Sequence, residues 1–264
     1  MNRQSPRAVR LRYEPQSCHA RIPVGPGAGE GDPLLAGISR IGAGDMGLVK
    51  AQELPFRGIF FRAMGWPVDK VFSVRQMHTR RVIAVEDGLT AEEAARREAD
   101  GLVSGPDSGA VLTVTAADCI PVFLRDHVTG AYGIVHSGWK GTGIARDALE
   151  MMADRFGSRP ADISATIGPG IGPCCYKVSE ERWRLFRDEF EAAACRAPDG
   201  SPVLDLVRAN EDLLTGAGVL AILRVTDCTC CSTELGSFRR QGQAFTRMLA
   251  FIGPRDLSPA SGIC

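Results

Sequence analysis

Short apolar blocks separated by polar turns dominate the chain. Val111–Thr115 and Ala131–Val135 are β-branched runs of the kind that form buried strands, and Lys70–Val74, Val82–Val85, Ile163–Ile167 and Leu220–Val225 follow the same pattern. Leu34–Gly47 reads as a short strand and a loop. Helical spacing appears over Leu54–Met64, with Gly65 as its stop, and from Ile144 through Ala148, Met151, Met152 and Arg155 to Gly157. Thr90 to Glu93 has the form of a capping box and opens a charged helix to about Ala99. Trp183, Phe186 and Phe190 mark a helical core face from Ser179 onward. Asp205 caps a helix through Leu214, and a terminal helix carries Arg247. This alternation predicts an α/β (α+β) domain with a mixed central sheet covered by helices. Its extent is 34–264, behind a flexible glycine-rich leader over 1–33.

Composition narrows the functional classes. Lys plus Arg and Asp plus Glu each number 31 in 264 residues, so no global field exists to hold nucleic acid or an anionic membrane. The N-terminal stretch has arginines but no apolar signal core, and charge interrupts every apolar run well short of a membrane span. A cytoplasmic protein is expected. Nine cysteines in so long a chain read as reduced thiols rather than a disulfide framework. Oligomeric state has no readable signal.

Chemistry concentrates where two strands end. The Asp118-Cys119 pair and His136 are polar residues that a buried strand has no packing reason to carry. His136 is followed by Ser137-Gly138-Trp139-Lys140-Gly141-Thr142-Gly143 and then a helix, an arrangement whose free N–H groups attract anions. Cys119 and His136 read equally as metal ligands or as a nucleophile and its base. His78, between two strands, carries little signal alone. Gly168, Gly170 and Gly172 imitate half a dinucleotide fingerprint, but Pro169 and Pro173 prevent a helix from starting inside it. Cys228 and Cys231 form a C-x-x-C that Cys174-Cys175 could complete as a structural zinc site, although the second pair is adjacent rather than spaced. Arg239, Arg240 and Arg247 could clamp an oxyanion or phosphate.

Taken in order, Gln76-x-His78, Ala117-Asp118-Cys119-x-Pro121, His136 to Thr142, Gly168 to Tyr176, Asp227-x-Thr229 and Ser237-Phe238-Arg239-Arg240 resemble the multicopper polyphenol oxidase (laccase-domain) family over roughly Leu34 to Ile252. Its members are better described as purine nucleoside phosphorylases with adenosine deaminase activity. The resemblance implies a laccase-domain, toxin-deamidase-like fold and a zinc held by His78, Cys119 and His136, with copper a less favoured occupant. It implies purine nucleosides and phosphate as partners. Asp118 becomes a candidate proton carrier, Gln76 a base-orienting amide, and Arg57, Lys140, Arg239 and Arg240 candidate phosphate contacts. Phenol oxidation by copper fits poorly, since laccase chemistry needs many histidines and the chain has four. A metal-free Cys/His hydrolase using Cys119 and His136 stays open. Departures from the family pattern are Thr79 and Thr246 where glycines are common, and Lys177 where a glutamate is usual.

Overall fold

The computed structural model describes residues 6–25, 28–29, 31–48, 56–86 and 88–257. Fourteen strands occur among them: β1 (Arg7–Val9), β2 (His19–Arg21), β3 (Leu34–Ser39), β4 (Val71–Phe72), β5 (Val82–Val85), β6 (Gly101–Ser104), β7 (Val111–Ala116), β8 (Ile120–Asp126), β9 (Tyr132–Ser137), β10 (Ile163–Ile167), β11 (Ala194–Arg196), β12 (Pro202–Leu204), β13 (Ala221–Val225) and β14 (Met248–Pro254). The helices are α1 (Phe56–Ala63), α2 (Ala91–Arg96), α3 (Ile144–Phe156), α4 (Glu180–Arg187), α5 (Leu206–Gly216) and α6 (Phe238–Gln241).

The mixed α/β class read from the sequence is the class adopted, but the strands divide into two stacked sheets. One runs β1-β13-β10-β8-β9-β6-β5 and the other β2-β3-β14-β7-β4, each with parallel and antiparallel pairs. Period-two alternation explains the stacking. Along β14, Met248, Ala250 and Ile252 face the seven-stranded sheet, meeting Leu102, Phe123, Tyr132 and Ile134. Leu249 and Phe251 face the opposite way, onto Phe60, Phe61, Met64 and Trp66 at α1. Val122, Leu124 and Val135 lie on the outer face of the larger sheet, against Ala148 and Met152 of α3 and Ala209 and Leu214 of α5. The layers are therefore helix, sheet, sheet, helix.

The helix α3 shows how sequence sets one layer. Ile144, Ala145, Ala148, Leu149 and Met152 form its buried stripe, and Gly157 ends it in the left-handed conformation, its N–H donating to Ala153 O at 3.0 Å.

Several expectations need correction. The predicted leader is woven into the sheets: β1 pairs in parallel with β13, β2 pairs with β3, and Leu11, Ala20, Ile22 and Val24 enter the inter-sheet core. Glycine richness over 25–31 concealed the short apolar strands on its N-terminal side; of the leader, residues 1–5, 26–27 and 30 lie outside the described residues. Arg247 precedes a strand, not a terminal helix, because Met248–Pro254 alternates between two apolar environments. Of the helix expected over Leu54–Met64, Leu54 and Pro55 lie outside the described residues. The charged helix stops at Arg96, and β8, unread as a strand, lies at the middle of the larger sheet.

The connection that matters most is β7 to β8. It passes from one sheet to the other within Ala117-Asp118-Cys119, and Asp118 takes φ +97° to make the turn. A non-glycine residue there carries strain of about 1–3 kcal/mol, which neighbouring bonds must offset.

Candidate active site

Three loops and the end of β9 converge at this crossover. Cys119 immediately precedes β8, and His136 sits near the end of β9 directly opposite Pro121. His78 belongs to the β4–β5 loop and adopts φ +58°, a left-handed conformation that histidine tolerates better than most residues. Asp100, ahead of β6, closes the set.

One imidazole nitrogen each of His78 and His136 and the Cys119 Sγ lie within 4.8 Å of one another. The two rings meet edge to face with centroids 5.0 Å apart. Donors around one tetrahedral zinc sit roughly 3–4 Å apart, so the three fit a zinc ion with modest closure and leave a fourth position. Gly138 makes this possible, since a Cβ there would stand 2.8 Å from Cys119 Sγ and 3.2 Å from His78 Cδ2.

Asp100, absent from the sequence-derived set, organises the site. Fully buried, its carboxylate accepts from His136 Nδ1 at 2.9 Å, His78 N at 3.0 Å, Met77 N at 3.1 Å, Thr79 N at 2.7 Å and Thr79 Oγ1 at 2.9 Å. Occupying Nδ1 of His136 directs Nε2 toward Cys119 and the candidate metal position, the usual carboxylate-histidine-metal relay. Burial pushes Asp100 up, but His136 and Thr79 outweigh it and hold the carboxyl at about 2. Burial likewise raises the Cys119 thiol and depresses His136. Their mutual attraction, aided by His78 on one side and Asp100 on the other, overrides it and brings Cys119 down to about 6 and His136 up to about 10. The metal-free pair is a thiolate beside an imidazolium, deprotonated at sulfur as a ligand must be.

The site opens into a cavity of about 500 Å³ whose lining includes Gln76, Tyr176, Arg182, Phe245 and Arg247. This volume suits a small ligand with one aromatic and one charged end. Asp118 and Arg239 also line it. The Asp118 carboxylate accepts from Thr229 Oγ1 and from Arg239 N, both at 2.7 Å. The Arg239 guanidinium lies 5.5 Å over the Tyr176 ring and donates to Lys177 O at 2.9 Å. The Gln76 amide is held at both ends by Thr115, with Nε2 donating to its carbonyl and Oε1 accepting from its N–H.

Three expected phosphate contacts stand elsewhere. Arg57 lies on the buried face of α1, donating to Met46 O at 2.7 Å and Ser73 Oγ at 2.6 Å, with its guanidinium 5.2 Å over the Phe61 ring; burial lowers its pKa to about 10. Arg240 spends its donors on the carbonyls of Thr229, Cys230, Ser232 and Leu235. Lys140 is exposed, with its ammonium 5.5 Å from the Trp139 ring. The cavity cations are Arg182, Arg239 and Arg247. Arg182 was missed because α4 carries Arg182, Arg184 and Arg187 alike, and nothing in their spacing says which turns inward. It lies 4.6 Å over the Trp139 ring.

Residues 55–255 match the family described as multi-copper polyphenol oxidoreductase laccase. The chain belongs to that family. A purine nucleoside phosphorylase, YlmD, of Geobacillus stearothermophilus is 32% identical over 207 residues, covering 73% of this chain and 75% of that protein. An adenosine deaminase, RL5, of an unknown prokaryotic organism is 33% identical over 193 residues, 68% of this chain and 73% of the relative. The crystal structure of YlmD from Geobacillus stearothermophilus superposes with a TM-score of 0.80 at 27% identity, covering 93% of this chain and 98% of that one.

Within this laccase-type family the departures at Thr79 and Lys177 acquire local explanations. Thr79 adds a hydroxyl to the Asp100 network. Lys177 turns outward to pair with Asp199 at 2.6 Å, so its charge does not enter the cavity. The Thr246 hydroxyl accepts a long bond from Gln241 Nε2 at 3.5 Å. No helix among the described residues is long and apolar enough to cross a membrane.

Proposed function

We propose that this chain is a zinc-dependent purine nucleoside phosphorylase that also deaminates adenosine. One observation carries the reading: the His78, Cys119 and His136 donor set lies at the floor of the same cavity that gathers Arg182, Arg239 and Arg247. His78, Cys119 and His136 would hold the ion, and zinc there supplies Lewis-acid polarisation and lowers the pKa of water.

The chain's own residues account for the rest. In phosphorolysis a phosphate oxygen bonds to C1′ of the ribose as the bond from C1′ to the purine nitrogen breaks, and the electron pair leaves with the base. Arg182, Arg239 and Arg247 are suited to hold the phosphate dianion, since guanidinium groups bind such oxygens in pairs. Tyr176, Phe238 and Phe245 offer faces for the purine and exclude water from it. Gln76, fixed by Thr115, presents a set polar edge to the base. Deamination replaces the C6 amino group of adenosine by oxygen from water and releases ammonia. Asp118 is the carboxylate nearest the thiol in sequence and remains our candidate to carry the proton. Seven cysteines among the described residues are free thiols, but Cys18 is disulfide-bonded, so the expectation of reduced thiols throughout does not hold at that position and the cytoplasmic setting rests on the sequence alone.

The thiolate-imidazolium pair of Cys119 and His136 favours a second reading, a metal-free hydrolase with Cys119 as nucleophile. Adenosine and inosine, each incubated with and without phosphate, separate the two when products are resolved by chromatography. Phosphate-dependent release of adenine and hypoxanthine by zinc-loaded protein, abolished in Cys119→Ala, is expected. No turnover of any purine nucleoside, with rapid alkylation of Cys119 in metal-loaded protein, would refute the proposal and favour the hydrolase.

A further inference from the structure

Beyond the cavity, a second group of soft donors meets on the surface. Cys174 and Cys175 come from the turn that follows Gly172, and Cys228 and Cys231 from the turn that follows β13. All four sulfurs lie within 4.8 Å of one another, with Cys174 to Cys231 at 3.8 Å and Cys175 to Cys231 at 3.4 Å. Zinc–sulfur bonds of about 2.3 Å in a tetrahedron require sulfurs about 3.8 Å apart. The thiols therefore already stand near the vertices of such a site.

The two turns are built to face each other. Tyr176 N and Cys175 N both donate to Gly172 O at 3.0 Å, while Cys231 N and Ser232 N donate to Cys228 O at 3.1 and 3.0 Å. Gly170 bridges to Cys228, and Thr229 N donates to Gly170 O at 3.0 Å, so one turn is stitched to the other by backbone. Gly172 N donates to Cys228 Sγ at 3.2 Å, a bond that favours the charged sulfur. A Cβ on Gly172 would stand 3.2 Å from Cys174 Sγ and 3.7 Å from Cys228 Sγ, so a side chain there would crowd the sulfurs.

Charge balance is provided as well. A divalent ion with four thiolates leaves a net double negative charge. The Arg239 guanidinium donates to Cys175 O and Lys177 O, and that of Arg240 to the carbonyls of Thr229, Cys230 and Ser232, which sets a cation against each turn. Cys174 and Cys231 are exposed, giving an ion a route in.

We propose that Cys174, Cys175, Cys228 and Cys231 bind a structural zinc ion, separate from the one at His78, Cys119 and His136. Four protein ligands close its coordination, so it does no chemistry. Its place explains its use: Thr229, between the two loop cysteines, holds Asp118 beside Cys119, and Tyr176 and Arg239 of the cavity border the same turns. The zinc would fix the wall against which substrate lies.

The test uses Cys119→Ala, which removes the cavity site and leaves this one. Reduced Cys119→Ala protein should retain about one zinc per chain by elemental analysis, with sulfur-only ligation in X-ray absorption. Cys119→Ala/Cys231→Ser should retain none, and Cys119→Ala/Cys195→Ser should match Cys119→Ala. Should Cys119→Ala not fold, cobalt-loaded wild-type protein serves: intense sulfur-to-cobalt charge transfer that falls sharply in Cys174→Ser supports the site. Absence of zinc from folded Cys119→Ala overturns the proposal, as do nitrogen ligands to that zinc or a disulfide among the four cysteines in anaerobically purified protein. A failed nucleoside assay would leave the stoichiometry of Cys119→Ala untouched, so the two proposals fall separately.

Discussion

Asp100 and His136 are joined twice. His136 N donates to Asp100 O at 2.7 Å, and the Asp100 carboxylate accepts from His136 Nδ1 at 2.9 Å, so backbone and side chain fix the imidazole together. Replacing one carboxylate oxygen by an amide leaves the backbone bond but weakens the bond from His136 Nδ1 or those from Met77, His78 and Thr79, according to which oxygen becomes the NH2. Asp100→Asn should lower zinc affinity about 10–100-fold. Competition with a chromogenic chelator measures this; unchanged affinity would contradict the role given to Asp100.

Arg182 and Arg57 make a contrasting pair, one lining the cavity and the other on the buried face of α1. Arg182→Ala should raise the KM for phosphate about 10–100-fold, the equivalent of a charged hydrogen bond of about 1.5–3 kcal/mol, with little change in melting temperature. Arg57→Ala should do the opposite, costing about 3 kcal/mol of stability by leaving Met46 O without its donor and Ser73 Oγ with Thr113 alone, while leaving the KM of the folded fraction unchanged. Phosphate titrations beside thermal melts distinguish them.

Gly138 has room for hydrogen alone on the side facing the thiol. Gly138→Ala should displace Cys119 Sγ or His78 and reduce zinc occupancy at that site, while the core and the melting temperature of the metal-free protein change little. Elemental analysis beside calorimetry of the stripped protein tests both halves.

His19 gives a pH dependence independent of the metal site. Burial, with Arg21 adding to it, depresses its pKa from 6.5 to about 4, and its ring packs edge-on against Phe60 and Phe251. Between those values the unfolded chain takes up a proton that the folded chain refuses. Stability from this residue is thus complete above about pH 6.5 and is lost as pH falls toward 4, about 3 kcal/mol in all. His127, also depressed by burial, acts in the same direction. His19→Phe keeps an aromatic ring in place and should flatten the acid limb of a urea-denaturation series; an unchanged slope would show that His19 titrates normally.

What the letters revealed followed what they encode locally. Cys119 and His136 were legible because each stands at the end of an apolar strand, whereas His78 was named only through the family resemblance; the three do converge. Asp100 was not, because it follows a charged helix among other acids and only the fold brings four backbone or side-chain donors of residues 77–79 to it. Arg57 and Arg240 were drawn toward phosphate by their charge, whereas burial on the inner face of α1 and a ring of loop carbonyls had already claimed them. Continuous apolar runs such as β7, β10 and β13 were found, whereas the alternating β14 was expected as a helix, and the division into two sheets depends on which partner each face meets, a long-range property. The segment before Leu34 misled for a related reason: three-residue strands such as β1 and β2 carry too few positions to show a period.

That segment has a practical meaning for anyone who shortens the protein. β1 is the outermost strand beside β13, and its backbone covers a row of hydrogen-bonding groups running toward the cysteine turn. A gene trimmed to begin at Leu34 would yield a chain with a raw flank, free to recruit another copy of itself and prone to precipitate.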